Sequence, residues 1–490
     1  MKRSSERRDD DRPAPSTPTR PLEPATAREL AFVCLQAFDD SGAYLSDSLD
    51  RLQGRPMSPA DRAMAMELSY SVLRRRRTID VVLRELVARD PASVERDLWT
   101  VLQLGVVQVL LLPGLPAHAA VHETVELAKR VNSRWGGMVN GVLRSLQRLL
   151  TEELTDAPSS TGVPLVSIEP AAEGELSSRV TVRYRQLSRP LFPDFSQDPL
   201  AYVATAFSMP RDLIVRWSQG WDPVAAMRLA AWFTTPGVMS LRVNSLRANR
   251  AEVIDKLRAA GTQCWPGEFA ECIRLAEGVR IARLPGFEEG EFSVQDESAM
   301  RIVDLVDPRP GEQILDLCAA PGGKSTHAAE RMGDHGTIVA CDLNSRRLRL
   351  VEESARRLGL NSVTTCAVSD DAASIPGGPF DAAIVDAPCS NMGVLGKRPE
   401  ARWRLTETDF VELPALQLRL LSAAAERVRS GGRVIYSTCS IDALENEGVV
   451  REFLKTAAGW TLERQHQSIP AEPADGGYVA LLRRPLEFSL

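Results

Sequence analysis

Ile314-Leu315-Asp316-Leu317-Cys318-Ala319-Ala320-Pro321-Gly322-Gly323-Lys324 decides the fold of the C-terminal part of this chain. An apolar run interrupted by one acid predicts a short buried strand, the small residues after it a tight turn, and Ser325 the start of a helix. A turn of this kind lets a ligand approach the backbone closely and aims helix N–H groups at negative charge. It is neither G-x-G-x-x-G nor a P-loop, because the first glycine of a P-loop is missing, and this argues against a nucleotide triphosphatase. From Ala299 onward helix and strand alternate in the rhythm of a parallel sheet.

Acids stand where a doubly wound fold would use them. Val339-Ala340-Cys341-Asp342 places a carboxylate at the end of the next strand, where such folds hydrogen-bond a ribose diol. Asp370 follows a third strand, Val363 to Val368, within reach of an adenine edge. Together with Asp316 and the glycine turn, these describe a site for a nucleoside cofactor without a polyphosphate. S-adenosylmethionine fits.

Two cysteines stand out among eight. Cys389 closes Asp386-Ala387-Pro388-Cys389 just past the apolar run Ala382 to Val385, and Cys439 follows Arg433 to Thr438. With strand order 3-2-1-4-5 these two strand ends are neighbours, about 5 Å apart, on the edge where open sheets bind ligands. A thiol pair beside a methyl donor suggests methylation of a pyrimidine at carbon 5. A thiolate adding at carbon 6 makes carbon 5 nucleophilic, and a second group must then remove the carbon 5 proton. Asp386 near the ring's N3 would stabilise the adduct. The other six cysteines show no paired spacing, so neither a disulfide framework nor a metal site is expected, and reduced thiols in the cytoplasm are the natural reading.

Behind Cys389 comes a loop carrying Lys397, Arg398, Arg402, Trp403 and Arg404. Cations interleaved with an indole can neutralise phosphates and stack a base, so Lys397, Arg398, Arg402 and Trp403 are candidate RNA contacts. The run Arg74 to Arg77 is a weaker candidate, because a solvated helix face explains it nearly as well. The net charge of −6 is mildly unfavourable for a nucleic-acid binder, but residues 151–200 alone hold eight Asp/Glu against four Arg.

The 490 residues are too many for one core. Residues 1–25 read as a polar tail with no apolar signal region, and no run of 18 apolar residues predicts a membrane span. Residues 26–150 show helical periodicity throughout and predict an all-α bundle of five to seven helices. Residues 151–199 are rich in Pro, Ser, Gly and Glu and are expected to be a linker or insertion, with Thr181 to Tyr184 a lone strand. Residues 200–300 read as a small α+β RNA-binding subdomain, and 301–490 as the Rossmann-like α/β domain.

Taken together, the stretches Asp316 to Lys324, Asp386 to Cys389 and Ser437 to Ser440 resemble the RNA cytosine-C5 methyltransferases of the RsmB/NOP family, bacterial Sun/Fmu branch. Phe292 to Met300 and Asp475 to Ala480 are similar to that family too. The helical segment, with Asn140 to Arg144 near its end, resembles the NusB-type RNA-binding domain of that branch. The resemblance implies methylation of a cytosine in 16S ribosomal RNA by a cytoplasmic, metal-free and membrane-free monomer. It implies Cys439 as nucleophile and Cys389 as the group that assists release. It carries cofactor contacts over to Cys318, Ala319, Ala320, Pro321, Gly322, Gly323, Lys324, Asp342, Asp370 and Asp386. Ser369-Asp370-Asp371 departs from the Gly-Asp-Gly turn of the family, so Asp371 competes with Asp370 for the adenine. Transfer RNA, a DNA cytosine attacked by the Pro-Cys thiol, and a non-catalytic RNA-binding or antitermination factor are the rival readings.

Overall fold

The computed structural model describes residues 22–42, 44–51, 57–112, 114–169, 179–276, 279–369, 374–470 and 474–486. Asp370 and Asp371 lie outside the described residues. The chain divides into two compact units. One comprises residues up to 167, 180–235 and 402–404, and the other 168–179, 236–401 and 405–490.

The first unit is built on helices Ala27–Ser41, Leu45–Arg51, Pro59–Leu86, Arg96–Leu110, Ala117–Val131 and Gly136–Leu149. Thr26 starts the first through a capping box with Glu29. Every residue from Asp97 to Leu110 is buried, which makes that apolar helix the centre of the bundle. Gly105 permits close packing there, since a Cβ would sit 2.8 Å from the Leu143 methyls. Gln108, buried with it, donates to Thr124 and to the Leu104 carbonyl, so the polar group is satisfied. Arg74 to Arg77 is not a solvated face. Arg74 and Arg75 are buried, Arg75 donates to the Pro164 carbonyl at 2.7 Å, and Arg76 pairs with Asp39.

The segment after the bundle corrects the expectation of a lone strand. Leu150–Thr155, Gly162–Glu169 and Arg179–Leu187 form a three-stranded sheet with the last of these in the middle. Helices Pro199–Ala206, Arg211–Trp217 and Pro223–Trp232 complete the first unit.

In the second unit a four-stranded antiparallel sheet comes first, ordered Cys264–Pro266, Cys272–Leu275, Met239–Val243, Phe292–Val294. It is followed by a seven-stranded sheet of β1 (Gln313–Leu317), β2 (Thr337–Asp342), β3 (Val363–Ala367), β4 (Phe380–Asp386), β5 (Val428–Thr438), β6 (Thr461–Ser468) and β7 (Gly477–Arg483). The order is β3-β2-β1-β4-β5-β7-β6, parallel from β3 to β5 and antiparallel at β7 and β6. This is a Rossmann-like sheet with an antiparallel pair at one edge. β4 is apolar on both faces because both are covered: Ile384 packs with Ile314 and Ile435, Val385 with Leu315 and Tyr436.

Buried ion pairs hold the two sheets of this unit to each other. The Arg242 guanidinium, fully buried, grips both oxygens of Glu330 at 2.9 and 2.8 Å and also bonds Thr326, Gln295 and the Gly323 carbonyl. Arg274 pairs in the same bidentate way with Glu297.

Candidate active site

The site lies at the carboxyl edge of β1, β2, β4 and β5, as the strand pattern predicts. Past β1 the backbone turns sharply, with Cys318 at φ 61° and Gly322 at φ 99°. A Cβ on Gly322 would be strained by that φ and would crowd Val351 at 3.0–3.2 Å, so only glycine suits the position. The Ala319 amide is held by the Cys341 carbonyl, and the Ala320 amide by Asp342.

Three carboxylates converge on this turn. Asp316 is fully buried; one oxygen accepts from Ser325 and the other has no partner among the described residues. Burial pushes its carboxyl up to about 7, against the Ser325 hydrogen bond and the Lys324 charge. Asp342 accepts from the Asn344 amide at 2.9 Å and faces the Arg347 guanidinium at 3.3 Å. Asp386 pairs with Lys324 at 2.6 Å and accepts from Ser437 at 3.0 Å. Burial pulls the Lys324 ammonium down, but Asp386, Asp316 and Cys439 outweigh it and hold the ammonium above the ordinary lysine value. Burial, with Asp386 and Asp342, pushes the Cys318 thiol up to about 12, so this cysteine stays protonated and inert. The unpartnered Asp316 oxygen, the glycine turn and the acid ending β2 suit a nucleoside with hydroxyl and ammonium donors.

Parallel pairing of β4 with β5 sets Asp386 opposite Ser437, and the two thiols follow. Cys389 and Cys439 stand with their sulfurs 3.1 Å apart. The shared hydrogen bond, burial and the charge of Glu445 push the Cys389 thiol well above the ordinary cysteine range. Asn391, at φ 61°, accepts from Cys439 at 3.3 Å and donates to the Cys389 carbonyl at 2.9 Å. Arg398, exposed, donates to the same Asn391 oxygen at 3.0 Å.

The other members of the basic loop are engaged elsewhere. Lys397 lies between Asp296 at 2.7 Å and Asp475 at 2.8 Å, pairing with two carboxylates rather than facing a phosphate. In the first unit, Arg402 is 1% exposed and donates to the Ser208 and Phe233 carbonyls, while the Trp403 indole N–H donates to Leu73. These three side chains thus make their polar contacts within the protein. Sequence reasoning also missed Glu445, Gln417 and Asn391, although a serine after each thiol (Ser390, Ser440) was a visible sign of a common anchor. Among the described residues no group of three metal-ligating side chains occurs, and no helix is long and apolar enough to cross a membrane.

Three family models match the chain: 16S rRNA methyltransferase RsmB/F over residues 303–477, the NusB family over 25–148, and the RsmF/B-like ferredoxin-like domain over 209–282. Over 445 residues the chain is 35% identical to the probable ribosomal RNA small subunit methyltransferase B of Synechocystis sp., covering 89% of this chain and 91% of that one. The chain belongs to the RsmB/F methyltransferase family. A second member, ribosomal RNA small subunit methyltransferase B of Serratia proteamaculans, is 32% identical over 93% of this chain and 98% of its own. The fold is shared with the crystal structure of PH0851, at a TM-score of 0.71 and 24% identity, over 95% of this chain and 100% of that one. In this RsmB/F protein the family's methyltransferase match spans the glycine turn, Asp386 and both thiols, from β1 through the start of β7.

Proposed function

We propose that this protein transfers a methyl group from S-adenosylmethionine to carbon 5 of a cytosine in 16S ribosomal RNA. The reading rests on one observation above all: two thiols 3.1 Å apart, of which Cys389 is held in its protonated form. A thiol held protonated beside a second cysteine suits a proton-bearing partner next to a nucleophile.

In this reading the turn from Cys318 to Lys324, with Asp342 and Asp386, holds the cofactor, and Asp370 or Asp371 is assigned to its adenine. S-adenosylmethionine supplies an electrophilic methyl group when bound. What the chain does is prepare the base. Cys439 adds to carbon 6 as its thiolate, the ring electrons shift toward carbon 5, and N3, on taking up the proton the thiol gives up, donates to the Asp386 carboxylate. The Lys324 ammonium lies within electrostatic range of the Cys439 sulfur and of Asp386. After methylation a base takes the carbon 5 proton, the bond from Cys439 to carbon 6 breaks, and the double bond returns. Cys389 assists this release. Arg398 is the basic-loop residue assigned to the RNA backbone, and the NusB-like segment is assigned to the same RNA. The protein is assigned to the cytoplasm.

Adduct trapping on 16S RNA with S-adenosylmethionine tests the proposal. Cys389→Ala should accumulate a covalent protein–RNA species, and Cys439→Ala should give neither adduct nor product. The reverse pattern would make Cys389 the nucleophile. Product from wild type with no cysteine-linked intermediate would overturn the covalent route altogether.

A further inference from the structure

We infer that Glu445 is a positioning residue that fixes the separation of the two active-site thiols. The inference rests on the proposed roles of Cys389 and Cys439 for its catalytic meaning, though not for its geometry. Glu445 is 1% exposed, six residues past Cys439, and all its side-chain partners belong to the two cysteine loops or their support. One carboxylate oxygen accepts from the Ser390 amide at 2.8 Å and from the Gln417 amide at 3.0 Å. The other accepts from the hydroxyls of Ser390 and Ser440, the latter at 2.8 Å. Ser390 directly follows Cys389, and Ser440 directly follows Cys439. A single buried carboxylate therefore joins the residues next to both thiols.

Its own placement is fixed independently. The Tyr436 hydroxyl of β5 donates to the Glu445 carbonyl, and Gln417 also donates to the Pro388 carbonyl, one residue before Cys389. Four donors on one buried carboxylate need both oxygens as acceptors. A carboxamide keeps one acceptor oxygen and puts an NH2 group in place of the other, so the Ser390 and Ser440 hydroxyls must turn from donors to acceptors, and of their two freed protons only one can be taken up, by the other serine oxygen 3.1 Å away. Buried, half-satisfied polar groups then move to find partners, and the loops carrying the sulfurs move with them. Proton transfer and bond cleavage between groups in contact are steep functions of distance. Loss of the anchor should therefore weigh most on release, the step that needs both thiols.

The test measures thiol separation without RNA and then the outcome on RNA, using Glu445→Gln and Glu445→Ala in the full chain. Diamide takes two protons and two electrons from a thiol pair to form a disulfide and is itself reduced to the hydrazine, and peptide mass analysis locates the Cys389–Cys439 bond. Glu445→Gln should slow this closure by about tenfold or more relative to wild type, with an unchanged far-UV spectrum. On 16S RNA it should raise the ratio of trapped adduct to released product. Wild-type closure rate in Glu445→Gln would overturn the inference, and so would an equal fall of adduct and product. Should wild type itself give product without an adduct, the covalent mechanism fails and the diamide rates alone decide the positioning role.

Discussion

The sulfurs of Cys389 and Cys439 lie 3.1 Å apart although fifty residues separate them in the chain. Register explains the meeting. Asp386 pairs with Ser437 across β4 and β5, so each strand delivers its thiol two or three residues past the last paired position. Loop closure keeps them there: the Gly393 amide donates to the Cys439 carbonyl, and the Gly476 amide to the Gly393 carbonyl.

That closure makes Gly393 sensitive. A Cβ there would fall 2.3 Å from the Gly476 carbonyl oxygen and 2.8 Å from that of Cys439. Both are backbone atoms and cannot turn aside. Gly393→Ala should cost about 1–3 kcal/mol of stability and lower single-turnover methylation about a hundredfold through displaced sulfurs. Thermal melting and a rapid-quench assay measure the two effects, and activity within twofold of wild type would contradict the argument.

Lys324 contacts Asp386 at 2.6 Å and also feels the charge of the buried Asp316. Lys324→Met leaves the Asp316, Asp342 and Asp386 carboxylates facing one another around the turn. Titration calorimetry should show S-adenosylmethionine affinity reduced at least about tenfold, since a partly buried charge is left unpaired. Lys324→Arg should recover little of it, because the planar guanidinium does not fit a site shaped for a point charge. Wild-type affinity in Lys324→Met would remove this lysine from the cofactor site.

Arg242 tests what joins the two sheets of the second unit. It bonds Glu330 through two nitrogens and is fully buried. Arg242→Ala strands the Glu330 carboxylate and should cost about 3–5 kcal/mol. The double variant Arg242→Met with Glu330→Gln should recover part of that, because no charge is then left uncompensated. Urea unfolding of the three proteins measures the difference, and equal losses in single and double variants would show that the pair is not the source.

How much of this was legible in sequence follows from which interactions are local. The glycine turn, the acid closing β2 and the apolar β4 are read within a dozen residues, so the sheet and the cofactor turn could be placed. The thiol pair was readable through strand order alone. The internal partners of Arg402, Trp403 and Lys397 were not foreseen because they, the carbonyls of Ser208, Phe233 and Leu73 and the carboxylates of Asp296 and Asp475, are remote in the chain. A long cation looks the same in sequence whether it faces phosphate or a buried acceptor. The sheet between residues 150 and 187 escaped for a related reason: its outer strand Leu150–Thr155 is largely exposed and shows no apolar alternation. Glu445 was invisible because an anchor is defined by four donors from three segments.

Acid sensitivity should come from His327. Its ring is buried, with Nε2 3.0 Å from Glu271 and Nδ1 without a partner among the described residues. Burial first, then the Arg242 and Arg331 charges, push its pKa down to about 4, although Glu271 pulls the other way. Unfolded, the ring titrates near 6.5. Between those values the unfolded chain binds the extra proton, so this group's contribution is complete above pH 6.5 and lost as pH falls toward 4. The shift corresponds to about 3 kcal/mol. Glu271, held down at about 2 by the His327 hydrogen bond, adds a further loss only below its unfolded value. Asp316 and Asp475, each pushed up to about 7 by burial, act in the opposite sense: folded, they bind protons that the unfolded chain has released, so acidification from pH 7 to 4 favours the fold. The slope of the whole chain is therefore a difference of opposing terms, and only a comparison isolates the histidine. His327→Gln keeps a donor for Glu271 and removes the titration. From pH 7 to 4.5, urea unfolding should show the variant losing about 2 kcal/mol less than wild type. Parallel pH profiles for the two proteins would mean that the ring is not held neutral in the fold.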